Sequence, residues 1–99
     1  MQKYTNKSLR REILKTIACV PFSRFRMDAI LEALKKTGFD DLTHDSLMAQ
    51  LKYLEGKGFA KIERTKHFMN GEEFINVCIK AEGIDLLEGN RSDIGIDDA

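Results

Sequence analysis

Apolar residues recur along this chain first at helical spacing and then at strand spacing. From Lys7 to Val20, Leu9, Ile13, Leu14, Ile17 and Ala18 fall on one face with Lys and Arg between them. This predicts an amphipathic helix with Asn6 as its N-cap and Pro21 as its stop. After Pro21-Phe22-Ser23-Arg24, Met27, Ile30, Leu31 and Leu34 repeat at helical intervals, Asp28 complements the start of the helix dipole, and Thr37-Gly38 ends the run. The link Phe39-Asp40-Asp41-Leu42 is short, so the second and third helices are expected to meet at a sharp angle. Thr43 suits the N-cap of a third helix lined by Leu47, Leu51 and Leu54. Either glycine of Glu55-Gly56-Lys57-Gly58 can close it, with Phe59 packing back on the core.

Beyond that point the period changes. Phe59 to Arg64 and Phe74 to Ile79 alternate β-formers with polar or smaller residues, and Asn70-Gly71 in the intervening Thr65–Glu73 segment is the strongest turn signal present. Two strands forming a hairpin are expected, followed by a short helix over Ala81 to Leu87 that ends near Gly89-Asn90. Residues 91–99 have no period and read as a flexible acidic tail to a single domain over 1–90, frayed or lying on a partner. The resulting fold class is α+β and mainly α: a three-helix bundle, a two-stranded hairpin and a short C-terminal helix.

The order of elements, with the tight turn between the second and third helices, resembles the winged-helix superfamily over residues 7–89. Leu51-Lys52-Tyr53-Leu54-Glu55-Gly56-Lys57-Gly58-Phe59 is similar to the segment closing the recognition helix of MarR-, ArsR- and PadR-like regulators. Ile79-Lys80-Ala81-Glu82-Gly83-Ile84-Asp85-Leu86-Leu87-Glu88 is similar to the segment that follows their wing, with Lys80 where Thr is usual. Gly83 to Gly89, followed by Asp93-Ile94-Gly95-Ile96, resembles small winged-helix proteins of Mu-like prophages. The resemblance implies a helix-turn-helix that places the third helix in the major groove of double-stranded DNA, a wing on the backbone, a role in transcription regulation, and a homodimer as in many relatives.

Helical phase then nominates DNA-contacting residues. With the leucines inward, Thr43, His44, Ser46, Ala49, Gln50, Lys52 and Tyr53 are left for the outer face or its margins, together with Asp45. Gln50 can pair with adenine, Ser46 and His44 can donate to bases or phosphate, and Lys52 can neutralise a phosphate. Arg64, Lys66, His67 and Asn70 cluster at the tip of the expected wing, whereas Lys7, Arg10, Arg11 and Lys15 suggest an outward stripe on the first helix that reads as ordinary surface, with flanking phosphate contacts as the alternative.

Charge qualifies this picture. The chain of 99 residues is neutral overall, with 16 basic and 16 acidic residues, but nine of the basic ones and only three of the acidic ones fall within residues 1–36. Over Thr43 to Gly58, Lys52 and Lys57 are offset by Asp45 and Glu55, and Asp40-Asp41 just upstream would repel phosphate. That neutrality motivates an alternative reading, a winged-helix module that binds protein and not DNA.

Other classes receive little support. A domain this small has scant room for a deep catalytic cavity, and no nucleophile–base pair or phosphate-cradling glycine loop occurs, so no enzymatic activity and no cofactor are expected. Cys19 and Cys78 have no Cys-x-x-Cys spacing and His44 and His67 no ligand spacing, so no metal is expected and the thiols read as reduced and buried. Met48 and Met69 read as core or gap-filling residues. No apolar run is long enough to span a membrane, and Met1-Gln2-Lys3-Tyr4 lacks a signal-peptide character, so a cytoplasmic protein is expected.

Overall fold

Thr5 opens the first helix. Its side chain accepts a hydrogen bond from the Ser8 N–H at 3.0 Å while Ser8 Oγ accepts from the Thr5 N–H at 3.1 Å, a reciprocal cap that moves the start one residue ahead of the Asn6 cap the sequence suggests. In this computed structural model, which describes residues 4–19, 23–66 and 69–96, α1 spans Asn6–Ala18 and buries Leu9, Ile13, Leu14 and Ile17. The predicted Val20 end and Pro21 stop lie outside the described residues.

Helix α2 spans Met27–Lys36, with Asp28 in its first turn and Lys35 and Lys36 in its last, both favourable to the helix dipole. Helix α3 spans His44–Gly56, capped as expected by Thr43, and buries Leu47, Leu51 and Leu54. Gly58 adopts φ +80°, a left-handed conformation that costs glycine little. The reversal sends the Phe59 N–H back to the Leu54 carbonyl at 3.0 Å and places Phe59 in the core, 2% exposed.

The sheet differs from the expected pair of strands. Strand β1 (Phe25–Arg26) joins β2 (Ala60–Lys66) and β3 (Glu73–Ile79) in an antiparallel sheet of order β1-β3-β2. Phe25 pairs with Val77, and Val77 in turn with Ile62. A two-residue strand is too short for an alternation to register. It exists because β3 offers a free edge, a fact belonging to the fold and not to residues 25–26. The register puts Ala60, Ile62, Phe25, Ile75, Val77 and Ile79 on the face that packs on the helices. Along β2, burial falls from Ala60 to the exposed Arg64, Thr65 and Lys66, and along β3 it rises from exposed Glu73 to buried Ile79. The turn end of the hairpin therefore projects from the body.

Helix α4 spans Ala81–Leu87, as predicted, with no side-chain cap from Lys80. Its Gly83 is fully committed to packing, since a Cβ there would collide with the Phe59 carbonyl and meet Ile79 Cγ1 at 2.9 Å. The segment after α4 is not the free tail expected through residue 96. Ile96 is buried in the same core cluster as the helices, and its N–H bonds the Asp93 carbonyl at 3.0 Å. Residues 97–99 lie outside the described residues. No described helix is long and apolar enough to cross a membrane.

Gly83→Ala is expected to destabilise the fold by about 1–3 kcal/mol, the usual consequence of forcing a methyl group into a filled site. Urea denaturation of the variant against the parent measures it, and an unchanged midpoint would contradict the close approach to Phe59.

Candidate nucleic-acid interface

With Leu47, Leu51 and Leu54 buried, the helical repeat of α3 turns Asp45, Ala49, Lys52 and Gly56 to solvent, and all four are exposed. Thr43 and Ser46 are also exposed, but their hydroxyls serve the cap: Thr43 Oγ1 accepts from the Ser46 N–H at 3.2 Å and donates to Ser46 Oγ at 3.0 Å. His44, 55% exposed, sets Nε2 3.8 Å from Asp28 Oδ1 across the junction between α3 and α2.

Gln50 and Tyr53 lie at the margin of this open face, half-buried and engaged by side chains of other elements. Arg10 reaches from α1 to donate through Nε to Gln50 Oε1 at 2.7 Å and through Nη1 to the Gly95 carbonyl at 3.0 Å. Its guanidinium also lies 3.7 Å from the centroid of the Tyr53 ring. The Tyr53 hydroxyl donates to Asp93 Oδ1 at 2.8 Å, and Lys57 Nζ stands 3.6 Å from Asp93 Oδ2. A charge-assisted bond such as Arg10–Gln50 is worth about 1.5–3 kcal/mol, similar to the roughly 1–3 kcal/mol of discrimination from a good bidentate base contact. Gln50 thus has no net incentive to leave Arg10 for a base edge. Arg10 is likewise withdrawn from the expected outward stripe on α1, of which Lys7 and Lys15 are exposed and Arg11 half-buried.

This cluster shifts two titrations. Burial pushes the Tyr53 hydroxyl above its ordinary pKa, reinforced by its hydrogen bond to Asp93 and by the Asp93 charge, against a smaller opposing effect of Arg10. At Asp93 the largest single influence is burial, which pushes the carboxyl up. The hydrogen bonds from Tyr53 and the Gly95 N–H, together with the Lys57 ammonium, outweigh it and leave the carboxyl below the ordinary aspartate range.

At the hairpin tip, Arg64 is 60% exposed with Nη1 3.8 Å from Glu73 Oε1, a surface pair of small energetic worth. Lys66 is exposed, and its stem runs beside Gly71, which takes φ +71° in the turn. Asn70 spends its carbonyl oxygen on the Glu72 N–H at 2.9 Å, so its role is to shape the turn. His67 lies outside the described residues. Acidic groups gather at the N-terminal end of α3. Asp28, Asp40, Asp41 and Asp45 are all exposed around its N-terminus, and a cleft of about 230 Å³ between that end and β3 is lined by Asp28, His44, Glu72, Glu73, Arg26 and Phe74 among others.

Two further expectations need correction. Cys19 is exposed and Cys78 half-buried, both as free thiols; Cys19 sits at the C-cap of α1, off the face that Leu9, Ile13 and Ile17 bury. Met69 is 75% exposed in the hairpin turn and fills no gap, whereas Met48 does pack against the core. Among the described residues, no three His, Cys, Asp or Glu side chains gather as a metal site requires. The Arg10–Gln50–Tyr53–Asp93–Lys57 cluster carries no sequence signal, since it joins positions 40 and 85 residues apart. No protein-family model and no curated protein matches the chain.

A depressed aspartate contributes stability that is complete above its ordinary pKa of 3.8 and is lost as the pH falls through its lower folded value. Asp93→Asn should therefore lower stability at pH 7 and flatten the loss of stability below about pH 4, as read by urea denaturation at a series of pH values. A parent and variant with parallel acid limbs would show that Asp93 is not held as described.

Proposed function

We propose that this chain is a small winged-helix protein that binds double-stranded DNA through the open face of α3 and the tip of the β2–β3 hairpin, acting as the wing, and that it serves in transcription regulation. The observation that carries this reading is the projecting hairpin, with Arg64 and Lys66 at its exposed end and next in the chain to an α3 whose outward side is free of packing. The order of elements supports it, as does the resemblance of Leu51–Phe59 and Ile79–Glu88 to regulator segments. Gly83, within the second segment, has a physical reason to be glycine in its approach to the Phe59 carbonyl.

Affinity in this reading comes mostly from phosphate contacts. With Gln50 and Tyr53 held by Arg10 and Asp93, the side chains of α3 left to meet DNA are few: Lys52 for phosphate, Ala49 for a thymine methyl group, and His44 and Ser46 at the N-terminal end. Base discrimination is correspondingly modest, and a homodimer bound to two half-sites would raise it.

One observation favours a second reading, a winged-helix module that binds a basic protein surface. Asp28, Asp40, Asp41 and Asp45 surround the end of α3 that would lead into the groove, where they repel phosphate and suit lysine or arginine.

Fluorescence-anisotropy titration against a mixed-sequence duplex at several salt concentrations separates the two. In the DNA reading, binding weakens with salt and Arg64→Ala/Lys66→Ala reduces the slope of log affinity against log salt by about 1.8, at roughly 0.9 for each phosphate no longer neutralised. Asp45→Asn strengthens binding by relieving repulsion. Absence of duplex binding by the parent protein at low salt would end the DNA reading and leave the protein module.

A further inference from the structure

The described helices pack on one face of the sheet, the face bearing Ala60, Ile62, Val77 and Ile79. Among the described residues, nothing covers the other face. Antiparallel register places Arg26, Asn76 and Glu63 in one row across the three strands, with Lys61 opposite Cys78 in the next row and Phe74 on the far side. Arg24, just before β1, reaches the same face, since its Nε lies 3.1 Å from Glu63 Oε2. Lys61 Nζ approaches the other oxygen of that carboxylate at 3.4 Å.

Three cations on this surface thus face one carboxylate of their own sheet. Arg24 is 68% exposed and Lys61 64%, so each shares Glu63 through a solvated contact that a phosphate oxygen can replace at little cost. Arg26 lies with its guanidinium 4.1 Å over the Phe74 ring, which fixes its plane, and its contact with Asp28 on α2 is long at 4.0 Å. Neither the α3 face nor the hairpin tip includes these side chains, which project from the opposite side of the sheet to Ile62 and Val77. Charge narrows the choice of partner: a face that the described residues leave uncovered, on which Arg24, Arg26 and Lys61 outnumber Glu63 and the more distant Asp28, with an amide and no broad apolar patch, fits a polyanion better than it fits an apolar surface.

We propose that the open face of the sheet, centred on Arg24, Arg26 and Lys61, is a second contact surface for the phosphodiester backbone of duplex DNA. It takes a stretch of backbone other than the one facing α3. The proposal rests on the DNA-binding reading above. Glu63 acts in it as an internal competitor, holding Arg24 and Lys61 until phosphate displaces it.

The test measures salt-dependent anisotropy with a duplex of about 30 base pairs for the parent, Arg24→Gln/Lys61→Gln, Glu63→Gln and Arg64→Ala/Lys66→Ala. Circular dichroism and urea midpoints verify that each variant is folded. Removing two phosphate-neutralising charges in Arg24→Gln/Lys61→Gln is expected to lower the salt slope by about 1.8 and the affinity at low salt about tenfold. Glu63→Gln, which frees both cations, should tighten binding roughly threefold, a gain that a purely structural role would not give. If Arg64→Ala/Lys66→Ala weakens binding while the Arg24/Lys61 and Glu63 variants match the parent, the second surface is overturned and the α3-and-wing reading stands. If the Arg24/Lys61 variant loses slope and the Arg64/Lys66 variant does not, the second surface is supported and the wing tip is overturned. No binding by the parent at low salt overturns both.

Discussion

The Phe59 backbone is the point on which the rest of the architecture depends. Its N–H closes α3 by bonding the Leu54 carbonyl, and its own carbonyl accepts the Lys80 N–H at 3.0 Å where β3 gives way to α4. The same carbonyl sets how near α4 can come, because Gly83 packs directly against it. The side chain meanwhile fills the core beneath the guanidinium of Arg91, 5.5 Å from the ring centroid. One residue thus couples the end of the third helix, the start of the hairpin and the final helix. The left-handed turn at Gly58 makes this arrangement possible, since a side chain at φ +80° would be strained whatever space surrounded it.

That junction also sets the direction of the hairpin. Ala60 and Ile79 are tied into the core at its base, while pairing continues outward to Lys66 and Glu73, well beyond the last buried residue. A backbone ladder needs no burial to persist locally, so the tip is free to carry charge. On one face Arg64 near the tip is matched by Glu73, and on the other Arg24 and Lys61, nearer the base, share Glu63. Such solvated ion pairs contribute little to stability.

The docked segment Asp93–Ile96 changes what α3 offers. A Cβ at Gly95 would collide with the Tyr53 hydroxyl and ring, so only glycine lets the segment lie this close. Ile94 between them is left 86% exposed, while Asp93 is only 10% exposed and the Ile96 side chain is buried. The outcome is a helix with one flank closed by α1 and the C-terminal segment, and with one outward face on which Asp45 and Lys52 offset each other beside the small Ala49 and Gly56.

The repeating apolar residues settle the four helices, their order and their core leucines and isoleucines, because a 3.6-residue period is a local property that burial then obeys. The change to alternation at Phe59, the Asn70-Gly71 turn and the Thr43 cap are equally local, and they place the hairpin and α3 to within a residue or two. Phase along α3 correctly exposes His44, Ser46, Ala49 and Lys52, yet it cannot tell a solvated flank from one covered by a distant segment. Whether Gln50 and Tyr53 face solvent was decided by Arg10 and Asp93, 40 residues away on either side. The same holds for β1, which exists only as the partner of β3, and for Ile96, whose burial depends on a groove that residues 91–99 do not themselves encode. Periodicity records which side of an element is apolar. Only the assembled chain decides what closes the remaining sides, because those contacts join residues whose proximity is created by folding itself.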